Sequence, residues 1–78
     1  MNPKEEFESK PLSFILFSDE LCAVLAEIEV YTVGDLMYNI RPVVEHMKRQ
    51  TDRELINHFV IETKRMVAIL ESNFNMFN

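Results

Sequence analysis

Glycine is almost missing from this 78-residue chain, which has one at position 34, and proline occurs only three times. A fold of many tight turns needs more of both, so the composition excludes a turn-rich all-β architecture and favours helices. The single cysteine, Cys22, excludes an intrachain disulfide. No stretch approaches the roughly eighteen consecutive apolar residues of a spanning helix. The opening Met-Asn-Pro-Lys-Glu-Glu-Phe-Glu has neither the basic nor the apolar part of a secretory leader. These absences lead us to expect a cytoplasmic chain with no membrane role.

An excess of positive charge is lacking too. The net charge is -5, made of -6 over residues 1–40 and +1 over residues 41–78. Nucleic acid is held by neutralising phosphates with Lys and Arg, so the overall field of this chain opposes it and any such role needs a local patch. Lys48, Arg49 and Arg53, with Lys64 and Arg65 further on, are the candidate nucleic-acid contacts. Glu45, Asp52, Glu54 and Glu62 are interleaved with them, as on a salt-bridged solvent face.

Signatures of chemistry are absent. There is no Gly-x-Ser-x-Gly and no Gly-rich loop to present a nucleophile or cradle a phosphate. His46 and His58 lie twelve residues apart, unlike the close pairs of a zinc site, and read as surface or half-buried histidines. Cys22 falls within an apolar helical stripe and reads as a packing residue. Glu5, Glu6 and Glu8 lack the alternating oxygen ligands and turn glycine of a calcium loop. No catalytic residue, metal, cofactor or small-molecule substrate is expected, and a non-enzymatic role follows. A domain this small buries only about 60% of its unfolded surface, which leaves little volume for an enclosed site.

What is present is 47% hydrophobic residues and a series of helix starts. Residues 1–11 show no sustained apolar period and end at Pro11, reading as a flexible N-terminal segment. Leu12 to Phe17 is almost wholly apolar and too short to assign to helix or extended chain. Ser18 is a good N-cap, followed by Leu21, Leu25 and Ile28 at i, i+4 and i+7 with Val24 alongside, a stripe that runs out near Glu29. Thr32-Val33-Gly34-Asp35 forms a capping-box pattern for a second helix whose inner face is Val33, Leu36, Met37 and Ile40. Pro42 disfavours helix at Arg41 and suits the first turn of a third helix, with Val43, Val44 and Met47 inward. Thr51-Asp52-Arg53-Glu54 is a full capping box.

After that box, Leu55, Phe59, Met66, Leu70 and Phe74 keep helical spacing, consistent with one long helix. The β-branched cluster at Val60-Ile61-Glu62-Thr63 argues for a break with Thr63 capping a last helix, and the break is slightly favoured. Residues 12–74 thus form one domain and 75–78 a tail. The class is all-α, a compact bundle of four or five short helices.

The run Leu25-Ala26-Glu27-Ile28-Glu29-Val30-Tyr31-Thr32-Val33-Gly34-Asp35-Leu36, preceded by Phe17-Ser18, resembles the first half of the C-terminal domain of the bacterial RNA polymerase alpha subunit. Glu54-Leu55-Ile56 and Ile61-Glu62-Thr63-Lys64-Arg65-Met66 loosely match its second half, a helix-hairpin-helix. The resemblance implies a SAM-like, helix-hairpin-helix fold in bacterial transcription. Where that family carries an early DNA-binding Arg this chain has Glu20, and the hairpin Gly and Asn are replaced by Glu62 and Val60. Lys64 carries over. About eight extra residues lie around Asn39 to Gln50. A protein partner or a second copy is therefore expected ahead of nucleic acid. Phe14, Phe74, Met76 and Phe77, with Phe7, are the candidate interface residues.

Overall fold

The computed structural model describes residues 2–74, apart from the side chain of Phe74. Five α-helices follow in order: α1 (Pro3–Glu8), α2 (Asp19–Ala26), α3 (Val33–Tyr38), α4 (Ile40–Lys48) and α5 (Arg53–Phe74). A 3-10 turn over Leu12–Ile15 joins the first two, which decides the apolar run that the sequence left open. The expected all-α class stands. Among the described residues the one extended pairing sets Pro11 against Thr32, with Leu12 N–H on Tyr31 O and Val33 N–H on Lys10 O. No described helix is long and apolar enough to cross a membrane.

Two of the three expected caps form as read. Ser18 accepts from Leu21 N–H, and Thr32 exchanges both bonds of a capping box with Asp35. The third is displaced by one residue: Asp52, not Thr51, accepts from Glu54 N–H at 3.0 Å and Leu55 N–H at 3.3 Å. A carboxylate there also meets the positive end of the helix dipole. The boundary expected at Pro42 is displaced as well. The chain breaks at Asn39 and α4 begins at Ile40, so Arg41 is helical and Pro42 sits within the first turn, where backbone N–H groups have no intrahelical partner to lose.

Residues 3–8, expected to lie in a flexible segment, form α1. Pro3 opens it and the Asn2 side chain caps it by accepting from Glu5 N–H at 2.8 Å. The helix packs on α3, and the contact explains the one glycine. A Cβ at Gly34 would stand 3.1 Å from Glu8 O and 3.2 Å from Glu8 Cβ.

With that glycine committed, two helix ends use ordinary residues in the left-handed region. Glu29, at φ 61°, ends α2 in a Schellman motif: Val30 N–H reaches Leu25 O and Glu29 N–H reaches Ala26 O. Leu16, at φ 68°, does the same after the 3-10 turn, with Phe17 N–H on Leu12 O and Leu16 N–H on Ser13 O. In both, the two residues that the motif brings together, Leu25 with Val30 and Leu12 with Phe17, are core residues.

The core is completed by Ile15, Leu21, Val33, Leu36, Val43, Met47, Phe59, Met66 and Leu70. Helix α5 runs unbroken through residues 60–63, against the break favoured from sequence. The physical reason is that β-branched residues cost only a few tenths of a kcal/mol each in a helix. Against that, Phe59, Glu62, Met66 and Leu70 all turn inward at helical spacing, and a break would expose part of this face.

Two measurements test these local devices. Replacing Glu29 by Gly relieves a left-handed L-residue at an exposed site and raises stability by about 1 kcal/mol, a Tm increase of roughly 4–8 °C in thermal unfolding. Asp35 accepts from Tyr31 N–H and Thr32 N–H, and these bonds, the Tyr31 bond first, hold its carboxyl below the usual aspartate range. A depressed carboxyl stabilises the fold above its unfolded pKa of about 3.9, and that contribution is lost as pH falls through the lower folded value. Urea midpoints of Asp35→Asn should therefore fall less steeply than those of the parent below about pH 4.

Candidate protein-interaction groove

Helix α5 carries two apolar stripes. The first, Leu55-Phe59-Glu62-Met66 with Leu70, faces the core. The second, Ile56-Val60-Thr63-Val67-Leu70, advances by alternating four- and three-residue steps, the 3.5-residue repeat of a helix-pairing seam. Val60 is 42% exposed, and Ile56, Thr63 and Val67 are half-buried. This second stripe is the floor of a groove.

The facing wall comes from the α3–α4 corner and the outer side of α4. Near the corner, Met37, Tyr38 and Ile40 stand across from Thr63, Met66, Val67 and Leu70 around a recess of about 300 Å³. Toward the other end of α4, Val44, Met47 and Lys48 face Ile56, Phe59 and Val60 around a second recess of about 230 Å³. Tyr38 and Ile40 are 64% and 41% exposed, although Ile40 was expected on the inner face with Val33 and Leu36. The difference arises because the chain turns at Asn39, which swings Ile40 out of the α3 stripe. Lys4 approaches the Tyr38 hydroxyl at 3.5 Å from α1. At the groove floor the Thr63 hydroxyl oxygen is shielded from solvent and has no hydrogen-bond partner.

The expected interface residues do not line this groove. Phe14 is exposed but packs edge-on against Phe7 at 6.1 Å, with the Lys10 ammonium 5.5 Å above its ring. Phe74 ends α5 and its side chain lies outside the described residues, as do Met76 and Phe77 altogether. The groove residues were missed because the wall and the floor are distant in sequence. The signal for the floor was available as the second 3.5-spaced stripe beside the first.

The candidate nucleic-acid contacts are not gathered into one patch. Lys48 pairs with Glu45 at 3.4 Å, and Arg65 Nη1 lies 3.3 Å from Glu62 Oε2. Glu62 is a buried charged residue, and Oε2 lacks an aligned hydrogen bond, so the Arg65 guanidinium is its ionic compensation. Lys48, Arg49 and Arg53 flank the α4–α5 turn, while Lys64 lies eleven residues along α5 from Arg53, about 16 Å by helical rise.

The histidines tie α2 at both ends. His58 Nε2 accepts from Ser18 N–H at 3.1 Å, and its ring stands 6.3 Å from that of Phe17. His46 Nε2 lies 3.0 Å from both Val24 O and Glu27 Oε1. Both neighbours are acceptors, so this nitrogen carries the proton and donates. His46 and Glu27 thus make a histidine–carboxylate contact, but Glu27 is 61% exposed and the nitrogen points at the chain's own backbone. The pair has the geometry of a structural tie. Burial first, and then Asp19, push the Cys22 thiol up, away from the reactive thiolate, and its Sγ lies 3.8 Å from Phe17 O. Among the described residues no three His, Cys, Asp or Glu side chains converge as a metal site would require.

No family model, curated protein or solved structure matches the chain. The helix-hairpin implied by the resemblance at residues 54–66 is occupied by continuous α5, whereas the Thr32–Asp35 cap that carries the first half is formed.

The role of Arg65 is testable without any ligand. Arg65→Ala leaves a buried carboxylate uncompensated and lowers stability by about 1 kcal/mol, discounted for the exposed guanidinium. Glu62→Leu leaves stability unchanged or raises it, and in that background Arg65→Ala has little further effect in urea unfolding.

Proposed function

We propose that this chain is a non-enzymatic protein-interaction module whose α4–α5 groove receives an apolar helix. The observation that carries the reading is the partly exposed seam Ile56-Val60-Thr63-Val67, which runs down to the buried Leu70, beside Met37, Tyr38 and Ile40 at one end and Val44, Met47 and Lys48 at the other. Helix-in-groove recognition uses anchors at i, i+3/i+4 and i+7, and a 3.5-spaced floor offers complementary holes at that interval. The two recesses lie one after the other along α5, an arrangement that suits an elongated helical partner better than a compact metabolite. The resemblance to the C-terminal domain of the polymerase alpha subunit is kept in this reading for the Thr32 cap and the turn before it, without the hairpin and without its DNA surface.

Nucleic-acid binding has less support. Lys48 and Arg65 are engaged by acids of the chain, and Glu20, Asp52 and Glu54 line one shared surface recess with Ser18, Leu55 and His58. That acidic surface repels phosphate.

The test is an amide chemical-shift titration with a synthetic, monomeric helical peptide bearing Leu at i, i+4, i+7 and i+11. Saturable shifts are expected at Met37, Ile40, Val67 and Leu70, and Ile40→Glu, which alters an exposed wall residue, should abolish them. No shifts, or shifts confined to another face, would overturn the reading.

A further inference from the structure

We infer that His58 and the start of α2 form a proton-operated latch: the neutral imidazole holds the Ser18 amide, and the protonated ring releases it and turns to the carboxylates beside it. The contact discriminates between charge states. His58 Nε2 accepts from Ser18 N–H at 3.1 Å, so this nitrogen is bare and the proton of the neutral ring sits on Nδ1. A proton added at Nε2 sets one N–H against another, and the hydrogen bond is lost. The ring therefore ties α5 to the N-cap residue of α2 in its neutral form alone.

The surroundings of the ring supply the second state. Glu20 from the first turn of α2, and Asp52 and Glu54 from the start of α5, line a recess of about 190 Å³ together with Ser18, Leu55 and His58 itself. Glu54 stands four residues before His58 on the same helix, the spacing at which a carboxylate favours a cation. Asp52 already accepts from the amides of Glu54 and Leu55, whereas among the described residues neither Glu20 nor Glu54 has an ion pair within the chain. Phe17 packs beside the ring and carries no charge, Asp19 and the Cys22 thiol of α2 lie outside the recess, and no described Lys or Arg lines it. The other end of α2 responds differently. His46 Nε2 donates to Val24 O and Glu27, and protonation of the second ring nitrogen leaves that donor in place. Lowering the pH thus frees the start of α2 and leaves its end held.

The experiment is a nuclear magnetic resonance titration of the full chain from about pH 8 to about pH 5, the range in which imidazoles change charge, following the ring nitrogens of both histidines and the Ser18 amide. Helicity of every variant is checked by circular dichroism. At the upper end His58 is expected as the Nδ1–H tautomer and His46 as the Nε2–H tautomer. As His58 takes up its proton, the Ser18 amide proton moves upfield with the same midpoint. Glu20→Gln/Glu54→Gln removes the acceptors of the cation and moves that midpoint down by about half a pH unit. In His58→Gln, whose side-chain oxygen accepts at every pH, the Ser18 amide stays bonded throughout, and in His46→Gln its response is that of the parent. Neutral His58 found as the Nε2–H tautomer, or a Ser18 amide indifferent to the His58 titration, overturns the latch. A Ser18 response that survives in His58→Gln, or vanishes in His46→Gln, assigns it to another group and overturns the latch as well. A midpoint unmoved in the double variant overturns the turn of the ring toward the carboxylates.

Discussion

The architecture turns on one mismatch of length. Helix α5 has 22 residues, about 33 Å by helical rise, whereas the other four helices have six, eight, six and nine. No short helix can cover both sides of it. The remainder of the chain collapses on the stripe through Phe59, Met66 and Leu70 and seals it into a core. The adjoining stripe through Ile56, Val60, Thr63 and Val67 is bordered only along one edge, by α4 and the α3–α4 corner. A groove is what remains when a long helix with two apolar stripes meets a chain with enough material to bury one.

The short helices are too brief to persist on intrinsic propensity, and hydrogen bonds at their ends compensate. Asn2, Ser18 and Thr32 cap α1, α2 and α3, whereas α4 has no side-chain cap at its start, and two Schellman motifs close the 3-10 turn and α2 without glycine. Helix α2 is further fixed from outside, by His58 accepting at its first turn and His46 donating at its last. Both histidines are thereby engaged by backbone groups, as is the Asp35 carboxylate. Polar side chains that elsewhere would be read as chemistry are here occupied in holding short helices in place.

Charge acts on that surface in two ways. The acidic recess around Glu20, Asp52 and Glu54 discourages polyanions. The outer flank of α5, with Lys64 and Glu71 at the same heptad position, is nearly neutral but patterned. Such patterning contributes little to affinity per pair and a good deal to the choice of partner and direction.

Much of the helix content was legible because capping is local. A Ser or Thr oxygen reaches an amide three residues on, so Ser18-Asp19-Glu20-Leu21 and Thr32-Val33-Gly34-Asp35 carry their structure within four letters. The same locality explains the small errors at Thr51 and Pro42, where neighbouring residues could each satisfy the helix end and the choice moved by one or two positions. Helix α1 has a local start signal in Asn2-Pro3-Lys4-Glu5 that the expectation of a flexible segment passed over, and what holds it on the fold is the close approach of Glu8 to Gly34 across 26 residues of chain. The continuity of α5 was not legible, since the local penalty of Val60, Ile61 and Thr63 is outweighed only when Glu62, Met66 and Leu70 find a core to face. By itself, then, the amino-acid order determined the helical class and the starts of α2 and α3, all of which depend on contacts a few residues apart. Which stripe of α5 is buried and which is left as a groove was decided only by tertiary packing, because walls drawn from residues 37–48 and a floor drawn from residues 56–70 exist only once the chain has folded.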